Sequence, residues 1–96
     1  MSDMIVAAVE ALDAKAKASG LSETVKFKIE GEGAVVIDGT GARASDEAAD
    51  LTVTADSETF QGILDGSLDS TSAFMMGKNT IDGDMGLAMK LGSILG

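Results

Sequence analysis

Several chemically versatile side chains are absent from this sequence of 96 residues, which has no histidine, cysteine, tryptophan, tyrosine or proline and only three phenylalanines. Without histidine and cysteine, the chain cannot form a Ser–His triad, a thiolate nucleophile, a disulfide framework or a Cys/His zinc site. The few aromatic rings leave little on which nucleic-acid bases can stack. These absences favour a protein that is not an enzyme and needs no cofactor.

Positive charge is also scarce, because 7 basic residues stand against 16 acidic ones and the net charge is −9. Such a surface repels nucleic-acid phosphates and anionic lipid headgroups, so we expect no nucleic-acid partner. No uncharged apolar run approaches the roughly 18 residues that span a bilayer, so we expect no integral membrane segment. The N-terminal region lacks the basic start of a signal peptide, and with the missing cysteines this favours a cytoplasmic, bacterial protein.

The residues that are present favour one folded domain over residues 1–96, since 45% of them are hydrophobic and no linker interrupts the chain. A first helix is predicted, with Ser2 or Asp3 as its cap and Gly20 as its end. Its apolar residues recur at helical spacing: Ile5, Ala8, Val9 and Leu12. Alternating apolar and polar residues then predict strands joined by glycine-rich turns, over residues 25–30, 34–37, 42–45 and 51–55.

The second half of the chain predicts two short helices, a strand and a longer helix. The caps are Asp56 or Ser57 for the first short helix and Asp69 or Ser70 for the second, with Gly66 and Gly77 as the respective ends. The strand covers residues 78–82, Gly83 is a break, and the last helix, capped by Asp84, runs from about Met85 to Leu95. This order predicts the α/β (α+β) class, with a single mostly antiparallel sheet of about five strands covered on one face by helices.

Two short motifs resemble ligand-binding loops but lack essential parts. Gly31-Glu32-Gly33 leads from one strand to the next, where a dinucleotide-binding fingerprint requires a helix. Asp82 and Asp84 have the first spacing of a calcium loop, but the third and last ligand positions fall on Gly86 and Ser93. We therefore predict no catalytic residue and no metal ligand.

The final helix has more apolar surface than a helix on a sheet needs, because an apolar arc of a little over 100° suffices for that packing. Its polar stripe is narrow and consists of Gly86, Lys90 and Ser93, while the other positions are apolar: Met85, Leu87, Ala88, Met89, Leu91, Ile94 and Leu95. A bound apolar ligand, a partner subunit or a neighbouring domain would each cover the surplus. Four of the six methionines lie in this helix and the one before the last strand, where flexible thioethers either suit a variable cavity or fill gaps in packing.

Two segments near the C-terminus carry a family resemblance, SAFMMGK at residues 72–78 and IDGDMGLAMKL at residues 81–91. Together they resemble the C-terminal signature of the sterol carrier protein type 2 family, and the predicted order of elements is similar over nearly the whole chain. The resemblance implies an apolar tunnel between sheet and helices that binds or transfers a fatty acid, fatty acyl-CoA, phospholipid or sterol without changing it chemically. Matched by position, the residues that would line or close this tunnel are Phe60, Leu64, Phe74, Met75, Met85, Ala88, Met89, Leu91 and Ile94.

Two residues depart from the family pattern. Asn79 stands where an apolar strand residue is common, and Asp82 stands where a neutral or basic residue is usual. These departures predict an edge position for the last strand and a weaker attraction for anionic headgroups. An alternative interpretation remains open, in which the surplus face of the final helix forms a homodimer or docks an enzyme domain and binds no lipid.

Overall fold

A five-stranded sheet and its covering helices form the fold in the computed structural model, which describes residues 3–95. Their order along the chain is the predicted one; Ser2, one of the two residues predicted to cap the first helix, lies outside the described residues. The elements are α1 (Asp3–Ser19), β1 (Val25–Ile29), β2 (Gly33–Asp38), β3 (Gly41–Ala44), β4 (Leu51–Ala55), α2 (Ser57–Asp65), α3 (Ser70–Met75), β5 (Asn79–Gly83) and α4 (Met85–Leu95).

The sheet has the strand order β3-β2-β1-β4-β5, in which β1 and β4 run parallel and the other neighbours antiparallel. Successive side chains of β1 point to opposite faces of the sheet, and Phe27 lies on the face toward the helices, where its side chain is completely buried. Val35 of β2 and Val53 of β4 lie opposite Phe27 in register, so the apolar positions of three strands meet on one face. The predicted α+β class with a mostly antiparallel sheet is confirmed.

All four helices of residues 3–95 contribute side chains to one apolar core on this face of the sheet. Phe60 of α2 packs against Phe27, with ring centroids 5.4 Å apart and the ring planes tilted by 50°. The core members from the other helices with no exposed area are Ala8, Leu12 and Ala16 of α1, Ala73 of α3 and Leu91 of α4. Among residues 3–95, no helix combines the length and the apolar character that crossing a bilayer requires.

The opposite face of the sheet is partly covered by the connection between β3 and β4. The ammonium Nζ of Lys26 lies 3.0 Å from Oδ1 of Asp46, and Arg43 forms an ion pair with Glu47. Val36 stands in register between Lys26 and Arg43 and is completely buried, although it points away from the helices. The sheet therefore has a second, smaller covered area that alternation alone does not reveal.

Four of the five strands have bounds that differ from the predicted ones by one residue at one or both ends. The first strand is Val25–Ile29 instead of 25–30, and the second is Gly33–Asp38 instead of 34–37. The third strand is Gly41–Ala44 instead of 42–45, and the last is Asn79–Gly83 instead of 78–82. Gly83 is therefore not a break after the strand but its final residue, paired with Leu51 of β4. The predicted edge position of the last strand is confirmed, because β5 is the outermost strand on its side of the sheet.

The turn between β2 and β3 contains a carboxylate whose ionisation stabilises the fold. The hydroxyl of Thr40 and the guanidinium of Arg43 donate to Asp38, and together they lower the pKa of this carboxyl from 3.8 to about 2. Because the folded-state pKa lies below the unfolded value, this contribution is fully present above pH 3.8 and is lost as the pH falls toward 2.

We therefore expect Asp38→Asn to be less stable than the wild type at pH 7 and to approach it in stability near pH 2. Urea unfolding of both proteins at the two pH values measures the difference, and all other carboxylates cancel in the comparison. A stability difference as large at pH 2 as at pH 7 would contradict the assigned role of Asp38.

Candidate functional site

Five large apolar side chains on α3, on its C-terminal cap and on α4 are exposed to solvent. Their exposed fractions are 41% for Phe74, 81% for Met75, 56% for Met76, 52% for Met85 and 75% for Met89. We call these five residues the methionine patch. Among the other large apolar side chains whose exposure the structure describes, that of Val6 on α1 is comparably exposed, at 42%. Such a concentration of exposed apolar side chains on two packed helices is typical of an interaction site.

Local capping holds α3 in a position that turns its apolar residues outward. The carboxylate of Asp69 accepts a hydrogen bond from the backbone N–H of Ser72 at 3.1 Å, which satisfies the first turn. The helix ends where the N–H of Lys78 donates to the carbonyl of Ala73 at 2.8 Å and Gly77 adopts a φ of +74°. The side chain of Ala73 enters the core, and the neighbouring Phe74, about 100° further around the helix, projects outward.

Helix α4 has one buried stripe and one exposed apolar edge. Leu87, Ala88 and Leu91 lie at helical spacing and are at most 5% exposed. Met85 and Met89, four residues apart, fall outside that stripe and stay exposed. The surplus apolar surface predicted for this helix is therefore present in the structure; the side chain of Leu95, also part of that prediction, lies outside the described residues.

Asp84 fixes the start of α4, because its Oδ1 accepts hydrogen bonds from the N–H groups of Gly86 at 2.9 Å and Leu87 at 3.3 Å. We expect Asp84→Ala to lower the free energy of unfolding by about 1 kcal/mol, the usual cost of a lost helix cap. Asp84→Asn retains a capping oxygen and is expected to lose only a few tenths of a kcal/mol. Urea unfolding measures both, and equal losses in the two variants would show that capping is not what Asp84 contributes.

The nine residues predicted to line a tunnel fall into three groups. Phe60, Ala88 and Leu91 are buried in the core, and Leu64 and Ile94 pack against it and are partly buried. The exposed group consists of Phe74, Met75, Met85 and Met89, all members of the methionine patch. Met76 also belongs to the patch but was absent from the prediction, although its position beside Met75 in the SAFMMGK segment is a sequence signal for it.

A crevice of about 510 Å³, the largest of those described, lies between the end of α1 and α4. The residues that line this crevice are Lys15, Ala18, Ser19, Gly20, Leu21, Lys90, Ser93 and Ile94. Of these, Ile94 was predicted to line the tunnel. The ammonium of Lys90 also lies 4.0 Å from a carboxylate oxygen of Glu23. Sequence patterns did not indicate this crevice, because its two walls come from opposite ends of the chain.

Two carboxylates outside the methionine patch, those of Asp56 and Asp13, have structural partners. Asp56 caps α2 by accepting from the N–H of Thr59 at 2.7 Å, and this hydrogen bond lowers the pKa of its carboxyl. The N–H of Ala42 likewise donates to Asp13 at 2.9 Å and lowers the pKa of that group. Within the part of the chain that the structure describes, no group of three or more acidic residues is arranged to hold a metal ion. The interaction that the methionine patch itself offers is non-covalent and apolar.

Comparisons with known proteins agree with the resemblance seen in the sequence. The model of the SCP-2 sterol transfer family matches residues 5–96. Hydroxysteroid dehydrogenase-like protein 2 from Danio rerio is 56% identical over 43 residues, which are 45% of this chain and 10% of that protein. Sterol carrier protein 2 from Homo sapiens is 47% identical over 47 residues, which are 49% of this chain and 9% of that protein. The chain thus spans about a tenth of the length of these curated relatives.

The fold is also similar to that of a solved structure. The solution structure of sterol carrier protein 2 from Aedes aegypti, in complex with palmitate, superimposes with a TM-score of 0.79 at 21% sequence identity. The match covers 99% of this chain and 96% of that one. The two chains therefore share the arrangement of sheet and helices over nearly their full lengths.

Proposed function

Because the chain belongs to the SCP-2 sterol transfer family, we propose that residues 1–96 form a domain that binds a lipid with a long hydrocarbon chain and carries or transfers it without changing it chemically. The observation that carries this proposal is the methionine patch, which exposes apolar surface on two helices of an otherwise acidic protein. The relative from Aedes aegypti binds palmitate, which supports a fatty acid as the ligand class. The lack of cysteine supports a reducing compartment, and we propose the cytoplasm.

The ligand lies in an apolar tunnel between the sheet and the helices, with the methionine patch at its opening. The buried and partly buried residues of the predicted set form its inner wall, namely Phe60, Leu64, Ala88, Leu91 and Ile94. Two features support this arrangement: on α4 the exposed Met89 directly follows the buried Ala88, and the buried Ala73 directly precedes the exposed Phe74. Methionine side chains are unbranched and flexible, so they can rearrange around an incoming alkyl chain at low cost.

Burial of the alkyl chain supplies the affinity. Each methylene removed from water contributes about 0.8 kcal/mol, so a dozen of them contribute on the order of 10 kcal/mol before costs are subtracted. Loss of translational freedom and ordering of the ligand offset a large share of this gain. We therefore expect a dissociation constant in the micromolar range.

Titration of delipidated protein with palmitate tests the proposal. A ligand that binds the folded state raises the unfolding temperature with its free concentration, and native mass spectrometry shows whether a one-to-one complex forms. Extraction of the protein as purified would identify any lipid that it already carries. Absence of both a complex and a thermal shift with palmitate, a sterol and a phospholipid would reject lipid binding.

The charge of the protein predicts selectivity against highly anionic lipids. Fatty acyl-CoA carries several negative phosphate charges, and this chain has a net charge of −9. Two of the acidic residues, Asp82 and Asp84, lie three residues and one residue before Met85 of the methionine patch. We expect palmitoyl-CoA to bind about tenfold more weakly than palmitate at low ionic strength, with the gap narrowing as salt screens the repulsion. Isothermal titration at two salt concentrations measures this, and palmitoyl-CoA binding as tight as palmitate at low salt would contradict it.

A homodimer or a docked enzyme domain is the second candidate, and the same exposed patch favours it. The great length of the curated relatives also supports a neighbouring domain. Dilution separates the two functions, because an apolar interface makes the unfolding temperature depend on protein concentration, whereas a lipid site makes it depend on lipid concentration. A strong dependence on protein concentration together with no response to lipid would favour the interface.

A further inference from the structure

We infer that the methionine patch is an oxidation-sensitive site, at which a peroxide converts the thioethers of Met75, Met76, Met85 and Met89 to sulfoxides and thereby releases the bound lipid. This inference rests on the proposed function, since the lipid affinity is what oxidation changes. It adds a covalent modification and a means of regulation to that function.

Accessibility predicts which methionines react first. Within residues 3–95 there are five methionines, and the four in the patch are between 52% and 81% exposed. The fifth, Met4 on α1, is partly buried against the core, and its sulfur accepts a hydrogen bond from Nε2 of Gln61 at 3.5 Å. Because the sequence contains no cysteine, exposed thioethers are its side chains most readily oxidised by peroxide.

The chemical step needs only the peroxide as a co-reactant. A lone pair of the methionine sulfur attacks one peroxide oxygen, a sulfur–oxygen bond forms and the oxygen–oxygen bond breaks. The second oxygen leaves with the bonding electrons and takes up the proton that the attacked oxygen loses, which gives water or an alcohol. The sulfur thereby loses two electrons and the peroxide gains two. Methionine sulfoxide reductases reverse the change, with two thiols oxidised to a disulfide and the oxygen released as water.

A sulfoxide opposes lipid binding because it is polar where the thioether was apolar. In the lipid-free protein the oxidised side chains of Met75 and Met89 stay hydrated, since these residues are 81% and 75% exposed. An alkyl chain that covers them must remove this water without replacing its hydrogen bonds. We therefore expect oxidation to lower the palmitate affinity by at least about tenfold while the protein stays folded.

The experiment treats the full chain with increasing hydrogen peroxide and follows two readouts. Peptide mass spectrometry gives the order in which methionines gain an oxygen atom, and calorimetry gives the palmitate affinity. We expect the four methionines of the patch to be oxidised before Met4, the affinity to fall in parallel, and treatment with both stereospecific sulfoxide reductases to restore it. Oxidation of Met4 as early as the patch, or full affinity after the patch is oxidised, would overturn the inference.

A variant with leucine in place of all four patch methionines, M75L/M76L/M85L/M89L, is the matched control. Its palmitate affinity is measured before and after peroxide treatment and compared only with itself. Because no thioether remains in the patch, that affinity should not change on treatment, whatever its untreated value. A loss of affinity in this variant equal to that of the treated wild type would overturn the inference. Failure of the proposed function looks different: untreated wild type and untreated variant would then both fail to bind any lipid, while the order of oxidation would still decide whether the patch is the modified site.

Discussion

Met89→Glu is expected to lower the palmitate affinity by at least about a hundredfold, because a carboxylate at the opening of the proposed tunnel would have to lose its hydration when the alkyl chain binds. The Met89 side chain is 75% exposed, so the substitution leaves the core of the lipid-free protein intact. Calorimetric titration with palmitate measures the affinity, and circular dichroism checks the fold. Leu91→Asp would not serve this purpose, since Leu91 is completely buried and an aspartate there would unfold the protein.

Two variants control for the charge and for the loss of the methionine. Val6→Glu places the same carboxylate on α1 at a side chain that is 42% exposed and outside the patch, and it should bind palmitate normally. Met89→Leu keeps an apolar side chain of similar volume and should also bind. Wild-type affinity in a folded Met89→Glu protein, or an equal loss in Val6→Glu, would reject the patch as the lipid site.

Gly83→Ala is expected to reduce the free energy of unfolding by about 3 kcal/mol or more, because two costs combine at this position. Gly83 has a φ of +126°, a backbone conformation that residues with a side chain rarely adopt. A Cβ atom there would also lie 2.3 Å from the carbonyl oxygen of Asp50 and 3.0 Å from the Cα atom of Leu51. The strand β5 would have to move away from β4, which disturbs the start of α4. Urea unfolding measures the loss.

Gly77→Ala is the matched control for the backbone cost alone. Gly77 has a φ of +74°, but a Cβ atom at this position would meet nothing within 4 Å. We expect it to cost about 1 kcal/mol, the usual penalty for a left-handed residue with a side chain. If both alanine variants lost the same free energy, the close approach of the backbones at Gly83 would not be what requires glycine there.

The parts of the fold that could be predicted from the sequence depend on short-range chemistry. Asp84 caps the helix that it was predicted to cap, and of the two candidates predicted for each short helix, Asp56 and Asp69 are the caps. These predictions succeed because an N-cap carboxylate needs only the backbone two or three residues ahead. The strand over residues 51–55 was predicted with its observed bounds, since its alternation and β-branched residues are local properties.

The parts that could not be predicted depend on distant partners. The parallel pairing of β1 with β4 joins strands that are separated by a hairpin and by the segment that contacts Lys26, and no local pattern indicates that choice. Periodicity likewise identified Phe60 and Phe74 as apolar positions, but only the packing of the helices decides that Phe60 is buried and Phe74 is 41% exposed. The family resemblance identified most of the patch residues as site residues, but only the structure shows that their side chains are exposed.

The most direct test of the central proposal, that an alkyl chain binds in a tunnel with the methionine patch of α3 and α4 at its opening, is a titration of protein labelled with ¹³C at the methionine methyl groups. Palmitate is added stepwise, and the methyl resonances are followed by nuclear magnetic resonance. The account predicts that the signals of Met75, Met76, Met85 and Met89 shift together and saturate at one equivalent, whereas that of Met4 shifts little. Unchanged patch signals at a palmitate concentration that saturates binding, or a shift confined to Met4, would contradict the account.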